Sequence, residues 1–442
     1  MGSILGTLFA FAIVFGILVF AHEFGHFFMA KLVKVRVEVF SWGYGKRLFG
    51  FKKGETDYRV SLIPMGGYVK FSGEDALAGK GLKPHDFMAK KRWERFFVLL
   101  MGSVMNILLA IVLMSIINMV GINTPEYQEQ KPVIGRIEPG SPAERANLKI
   151  DDEILSINNK KTMTWADVEL AVGLKPKREI TIEVKRGEEI FTVELMTESK
   201  TRVEMGYAGF SAKILTQVTM VSPHSPAEKG GLEPGDIILA IDGDPVYIFQ
   251  FVEIIENNPE KELDFLIERG GGTLNLKLTP RLEGKIGKLG IYHSWKSFVK
   301  IYGFFSAIVQ SVKQNVKLTF LVVNFIKDLI TGEASTRQLG GPIEIASFSY
   351  AAFRMGFLAM IGWIAFISLQ LGIINLAPIP VLDGGQIFVL ILEGIFRRDF
   401  SPKIKQILIQ IGFAMFIFLI AFVILNDVQK RLPNGWESFI PW

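Results

Sequence analysis

Residues 3–21 contain no charged side chain, and this run constrains the chain more than any other feature. At ~1.5 Å per residue, a helix of that length nearly crosses the ~30 Å hydrocarbon core of a bilayer. The apolar stretch continues to about residue 30 through His22-Glu23-Phe24-Gly25-His26. A carboxylate at membrane depth costs at least ~2.5–3.5 kcal/mol, so it persists where it has a partner or a task. The spacing supplies both. His22 and His26 stand four positions apart, on one helix face, where two imidazole nitrogens can reach one zinc ion. Glu23 is then placed to take a proton from water at that zinc. No basic residue precedes the run and no cleavage site interrupts it, so it is expected to be a retained span rather than a signal peptide.

At 442 residues and 49% hydrophobic, with 36 Phe, the chain is expected to be a multi-domain membrane protein with soluble parts. The absence of Cys excludes thiolate ligands and disulfides, so any zinc must be held by His and carboxylate, as in hydrolytic sites. The formal net charge of +5 is small, and no nucleic-acid partner is expected.

Four charge-free runs are long enough to span: about 3–21, 96–122, 355–382 and 406–426. Residues 31–95 hold 15 Lys and Arg against 7 Asp and Glu, and Arg397, Arg398, Lys403 and Lys405 repeat the excess after the third run. By the positive-inside rule both stretches face the cytoplasm, which puts 123–354 outside and the inner ends of the first and third spans at similar depth.

Within 31–95, Val35, Val37 and Val39 alternate with polar residues, Trp42-Gly43-Tyr44-Gly45 reads as a turn, and Tyr58, Val60 and Leu62 alternate again. The pattern predicts a small membrane-associated β element. It serves either to hold an extended substrate by strand addition or to brace the first span.

Beyond the second span an internal repeat appears. Ser141-Pro142-Ala143-Glu144, then Leu148, Asp152, Ile154, Leu155 and Ile157, matches Ser225-Pro226-Ala227-Glu228, then Leu232, Asp236, Ile238, Leu239 and Ile241, at a constant offset of 84. Both units resemble the bacterial, circularly permuted PDZ domain, which places tandem copies at roughly 127–212 and 213–292. PDZ domains take peptide C-termini by strand addition, and Gly206-Tyr207-Ala208-Gly209-Phe210 is a candidate carboxylate loop for the second copy. A sieve against bulky substrates is an equally good use of the pair. From Trp295 and Phe298 to Val312, apolar residues at helical spacing, interrupted by lysines, predict amphipathic helices on the outer membrane surface within 293–345.

The third run ends in Asn375-Leu376-Ala377-Pro378-Ile379-Pro380-Val381-Leu382-Asp383-Gly384-Gly385. Pro378 and Pro380 cannot continue a regular helix, and the backbone groups they free at membrane depth are tolerable only when buried in protein or lining a cavity. Asp383 lies at the depth expected for His22 and His26 and is the natural third ligand, leaving a fourth position open for water. Gly384 and Gly385 remove side chains where two backbones must approach.

HExxH in a first span, NxxPxPxLDGG in a later one and tandem PDZ units between them resemble the site-2 protease family, in its bacterial sigma-E-regulating branch, over nearly the whole chain. The resemblance implies an intramembrane zinc metalloprotease of the bacterial inner membrane. It has an α-helical core of four transmembrane helices, periplasmic PDZ domains, amphipathic surface helices and an active site toward the cytoplasm. His22, His26 and Asp383 would bind one Zn2+ and Glu23 would be the general base. Asn375 would hold the substrate strand and the developing oxyanion. Gly43, Tyr44, Gly45, Pro378 and Pro380 would contact substrate. The family cuts transmembrane segments of single-span proteins, of anti-sigma factor type or remnant signal peptides, after they have been trimmed. The domain plan is 1–122 for the first two spans with the β element, the two PDZ units, 293–345, and 350–428 for the last two spans. A PDZ-bearing membrane scaffold and a zinc transporter are the competing readings.

Overall fold

The computed structural model describes residues 2–73, 82–199 and 204–431; positions 74–81 of the basic loop and 200–203 of the first repeat lie outside them. The chain divides into two compact units: Met1–Gly121 with Ile301–Ile330 and Thr336–Trp442, and Ile122–Lys300 with Thr331–Ser335.

The first unit carries four helices long and apolar enough to cross a membrane. Helix α1 (Gly2–Leu32) runs unbroken through the HEFGH motif. It is followed by the antiparallel pair β1 (Val37–Lys53) and β2 (Thr56–Phe71). The expected turn at Trp42–Gly45 is instead a bend inside β1, and the chain reverses at Gly54 and Glu55. Gly43 and Gly45 take φ of +95° and +89°, so they kink a continuous strand rather than end it. The kinked strands fold over each other. Val39–Ser41 pair with Asp57–Arg59 on one side and with Tyr68–Lys70 on the other, so Gly67–Lys70 forms an outer edge.

Helix α2 (Arg92–Val120) is the hub of this unit. Gly102, Ser103, Asn106 and Ala110 are buried on one stripe of it. Small residues permit close helix approach where lipid supplies no hydrophobic drive. A Cβ on Gly25 of α1 would lie 2.3 Å from the Met101 carbonyl oxygen. Ser368 Oγ donates to the Asn106 carbonyl at 2.8 Å.

The helical structure expected from Trp295 onward within 293–345 starts only at Phe304. Ser297–Lys300 is extended because it pairs with Ile122–Pro125, and those ladder bonds override the helical spacing of Trp295 and Phe298. Helix α3 (Phe304–Ile330) buries Ala307, Ser311 and Asn315 and leaves Phe305, Phe320 and Ile330 exposed. Asn118 Nδ2 of α2 donates to Ser311 Oγ at 2.9 Å and to Gln314 Oε1 at 3.0 Å.

The run 355–382 does not form one helix. Helix α4 (Pro342–Met355) ends at Gly356, with φ of +107°; α5 (Phe357–Asn375) follows, then an irregular stretch to Leu382, then α6 (Asp383–Ile395). Pro378 and Pro380 have no N–H to donate, so a helix cannot pass through them. A Cβ on Gly384 would lie 2.2 Å from the Leu376 carbonyl, and one on Gly385 2.1 Å from that of Ile379, so only glycines let α6 fold back on this loop. Helix α7 (Pro402–Arg431) is held at its ends. Lys405 pairs with Glu393 at 2.7 Å, and the buried Asp427 carboxylate accepts from the amides of Gly341, Ile343 and Glu344 at 2.8, 3.1 and 3.0 Å, at the start of α4.

The second unit contains two modules with one element order. The first runs Ile134–Ile137, Pro142–Arg145, Glu153–Ile157, Trp165–Gly173, Glu179–Arg186, Glu189–Met196, Phe210–Ala212. The second runs Thr216–Val221, Pro226–Lys229, Ile237–Ile241, Ile248–Asn257, Leu263–Arg269, Gly272–Leu278, Ile291–Trp295. Ser141 and Ser225 cap their short helices by accepting from the amides of Glu144 and Glu228 at 3.3 and 3.2 Å. Buried Asp152 takes a bidentate bond from Arg186, with both contacts at 2.7 Å, and Asp236 takes the same from Arg269. The carboxylate raises the pKa of each guanidinium further. Gly206–Phe210 does not serve the second module. Phe210–Ala212 pairs with Ile134–Ile137, and Ala208 O accepts from Ala143 N at 2.8 Å, which closes the first module with its own last strand. The counterpart in the second is Leu289-Gly290-Ile291, where Leu289 O accepts from Ala227 N at 3.0 Å.

Candidate metal centre

Helix α1 places His22 and His26 one turn apart, and α6 places Asp383 in its first turn. His22 Nε2 and His26 Nε2 are 3.1 Å apart, and Asp383 Oδ2 lies 3.1 Å from the first and 3.3 Å from the second. The three side chains are 12%, 10% and 14% exposed, so solvent does little to keep these atoms apart. Among the described residues they form the one group of three or more His and acidic residues arranged to hold a metal.

His26 Nδ1 donates to the Val98 carbonyl of α2 at 2.8 Å, which leaves a lone pair on Nε2. Asp383 Oδ2 is buried and takes no hydrogen bond. Two imidazole nitrogens and a carboxylate oxygen gathered this closely are held by a positive charge between them, carried by a proton or a metal ion. Ligand atoms ~2.0–2.1 Å from a tetrahedral zinc stand about 3.3–3.4 Å apart, close to the edges of this triangle. The residues fit the ion.

Glu23 lies beside this triangle. Its Oε2 accepts the Val69 amide at 3.0 Å, and a Cβ on Gly67 would lie 3.4 Å from its Cγ. The outer edge of β2 therefore orients the carboxylate. Asn375, the last residue of α5, has its Nδ2 3.5 Å from His22 Nδ1. Gly43, Tyr44 and Gly45 lie at the bend of β1, with the Tyr44 ring stacked on Tyr68 and so close to Gly66 that a Cβ there would meet it at 2.3 Å. Pro378 is exposed in the loop before α6, while a Cβ on Gly412 of α7 would lie 2.7 Å from Pro380. The structure thus gathers His22, Glu23, His26, Asp383 and Asn375, with the bend and the two prolines on flanking segments.

Four residues of this site escape the motif reading: Val69, Val98, Gly102 and Asn106. The first two act through the backbone, to which any side chain would answer equally. Gly102 and Asn106 stand one turn apart on α2, and a buried amide in an apolar span raises the same question as Glu23.

The sequence pattern that defines peptidase family M50 matches residues 10–419. The regulator of sigma-E protease RseP of Escherichia coli K12 is 32% identical over 459 residues, covering 97% of this chain and 100% of that protein. The protein of the same name from Salmonella typhimurium is 32% identical over 455 residues, and the regulator of sigma E protease of Haemophilus influenzae 31% over 450, each with 97% and 100% coverage. The chain belongs to peptidase family M50, the site-2 proteases. It is a zinc metalloprotease of that type.

Proposed function

We propose that this chain holds one zinc ion through His22, His26 and Asp383 and cuts single-span membrane proteins within their transmembrane segments. The observation that carries the reading is the triangle of two imidazole nitrogens and one carboxylate oxygen, 3.1–3.3 Å on each side, with the Glu23 carboxylate beside it. A zinc ion there supplies Lewis acidity, lowering the pKa of water toward ~7 and polarising a carbonyl.

The remaining work falls to the chain. Glu23, steadied by the Val69 amide, accepts the proton of the attacking water and passes it to the leaving amine. Asn375 donates to the scissile carbonyl as negative charge grows on its oxygen; losing such a donor typically costs ~2.7–4 kcal/mol of barrier. A peptide bond inside a helix is shielded, so the substrate unwinds before it is cut. The outer edge of Gly67–Lys70, which pairs with no other strand among the described residues, offers backbone groups to the unwound segment. Gly43, Tyr44 and Gly45 bend the strand that pairs with that edge, and Pro378 and Pro380 keep the segment before Asp383 free of helix.

We read the two modules as tandem, circularly permuted PDZ domains on the periplasmic side of a bacterial inner membrane, with the catalytic centre toward the cytoplasm. They act as a size filter that admits proteins already trimmed outside, or they take the new C-termini left by trimming. The names of the relatives point to sigma-E control, and an anti-sigma factor type substrate and remnant signal peptides fit a single-span specificity. A scaffold leaves the buried acceptor triangle unexplained.

The test is reconstitution of Glu23→Gln and the unaltered enzyme with a single-span substrate. Glu23→Gln is expected to keep its zinc and lose cleavage. Equal turnover by both would remove Glu23 from the mechanism.

A further inference from the structure

His22 needs a partner that the motif does not supply. With Nε2 committed to the metal, the neutral ring carries its proton on Nδ1, and a proton buried at this depth requires an acceptor. Two side-chain amides lie at that nitrogen, those of Asn106 and Asn375, each with its Nδ2 at 3.5 Å. Asn106 is 0% exposed, and its Oδ1 is buried with no hydrogen-bond partner. Amide oxygen and nitrogen are assigned from the bonds they make, and turning this amide over puts its oxygen, in place of Nδ2, at the 3.5 Å position beside His22 Nδ1. Oδ1 then accepts the His22 Nδ1 proton.

We infer that Asn106 is a positioning residue that fixes the tautomer and ring plane of His22, as the Val98 carbonyl does for His26. The assignment rests on the zinc reading above. It also divides the work between the two amides. Asn106 is locked in place, since its own carbonyl accepts from Ser368 Oγ at 2.8 Å and its Cβ packs 3.5 Å from where a Cβ on Gly372 would stand. Asn375 ends a helix, is half-buried and adjoins an irregular loop, so it remains available to substrate.

Outer partners of metal-bound histidines typically account for a 10–100-fold difference in metal affinity. The experiment measures zinc affinity of the full-length enzyme in detergent by competition with a fluorescent chelator, together with the visible spectrum of the cobalt(II)-loaded form. Asn106→Ala is expected to weaken zinc about 10–100-fold and alter the cobalt spectrum. Asn106→Asp, which keeps an acceptor in place, is expected to restore both, and Asn375→Ala to leave zinc affinity within a few-fold of the parent. Parental zinc affinity in Asn106→Ala, or affinity lost equally in Asn106→Asp, would overturn the assignment. Failure of the parent enzyme itself to bind zinc would instead overturn the metal reading. Should Asn106→Ala fail to fold, the Asn106→Asp result decides alone.

Discussion

Gly102 stands so close to His26 that a Cβ at position 102 would lie 2.4 Å from its Nε2, and 2.8 Å from Cε1 of His22. The second helix is therefore part of the wall of the metal centre, and its missing side chain is the space the ligand atoms occupy. Gly102→Ala should displace both rings, cut zinc content at limiting free zinc and reduce cleavage at least 10-fold, on the scale that disturbed metal shells typically show. Metal analysis and a cleavage assay on the purified variant check this.

Val69 reaches Glu23 through its backbone alone, so only a substitution that removes the N–H tests it. Val69→Pro deletes the donor on an outer edge, where proline is tolerated best. A hydrogen bond to a charged group contributes about 1.5–3 kcal/mol, which predicts a fall in kcat of roughly 10- to 100-fold. Zinc content should stay at the parental level, and Val69→Ala, which retains the amide, should cut at near-parental rates.

Asp427 gathers three amides at the start of α4 while 1% exposed, so it ties α7 to α4. Asp427→Ala strands those donors. A loss of about 1–3 kcal/mol is expected, read as a fall of several degrees in the thermal unfolding midpoint in detergent. Lys430, 2.7 Å from Glu344, should then become easier to modify chemically.

Removal of residues 127–292 separates the two uses proposed for the modules. A size filter predicts that the shortened enzyme cuts untrimmed single-span proteins that the full chain refuses. Peptide capture predicts slower cleavage of trimmed substrates and no gain on untrimmed ones. Competition between both substrates in one vesicle preparation distinguishes these outcomes.

Much of the centre was legible because its chemistry is locally encoded. HEFGH sets two imidazoles on one helix face with a carboxylate beside them by periodicity, and the prolines before Asp383 announce a helix break whatever surrounds them. Gly384 and Gly385 were readable for the same reason, since two adjacent glycines after such a break mark a close backbone approach. What α2 and β2 contribute was not legible. Gly102 and Asn106 look like any small and polar pair in a span until α1 is laid against them, and Val69 acts through an amide that every residue but proline carries. The strand at Ser297–Lys300 is not legible in the local sequence because its partner, Ile122–Pro125, lies more than 170 residues earlier. Glycine at positions 43 and 45 permits a turn or a bend equally, and pairing on both sides of β1 decides for the bend.

X-ray absorption at the zinc edge of the purified enzyme, with metal counted per chain, tests the central claim most directly. The account predicts one zinc with two imidazole nitrogens and a carboxylate oxygen among its neighbours, and loss of both metal and cleavage in Asp383→Ala. Full zinc occupancy with undiminished cleavage in Asp383→Ala would contradict it.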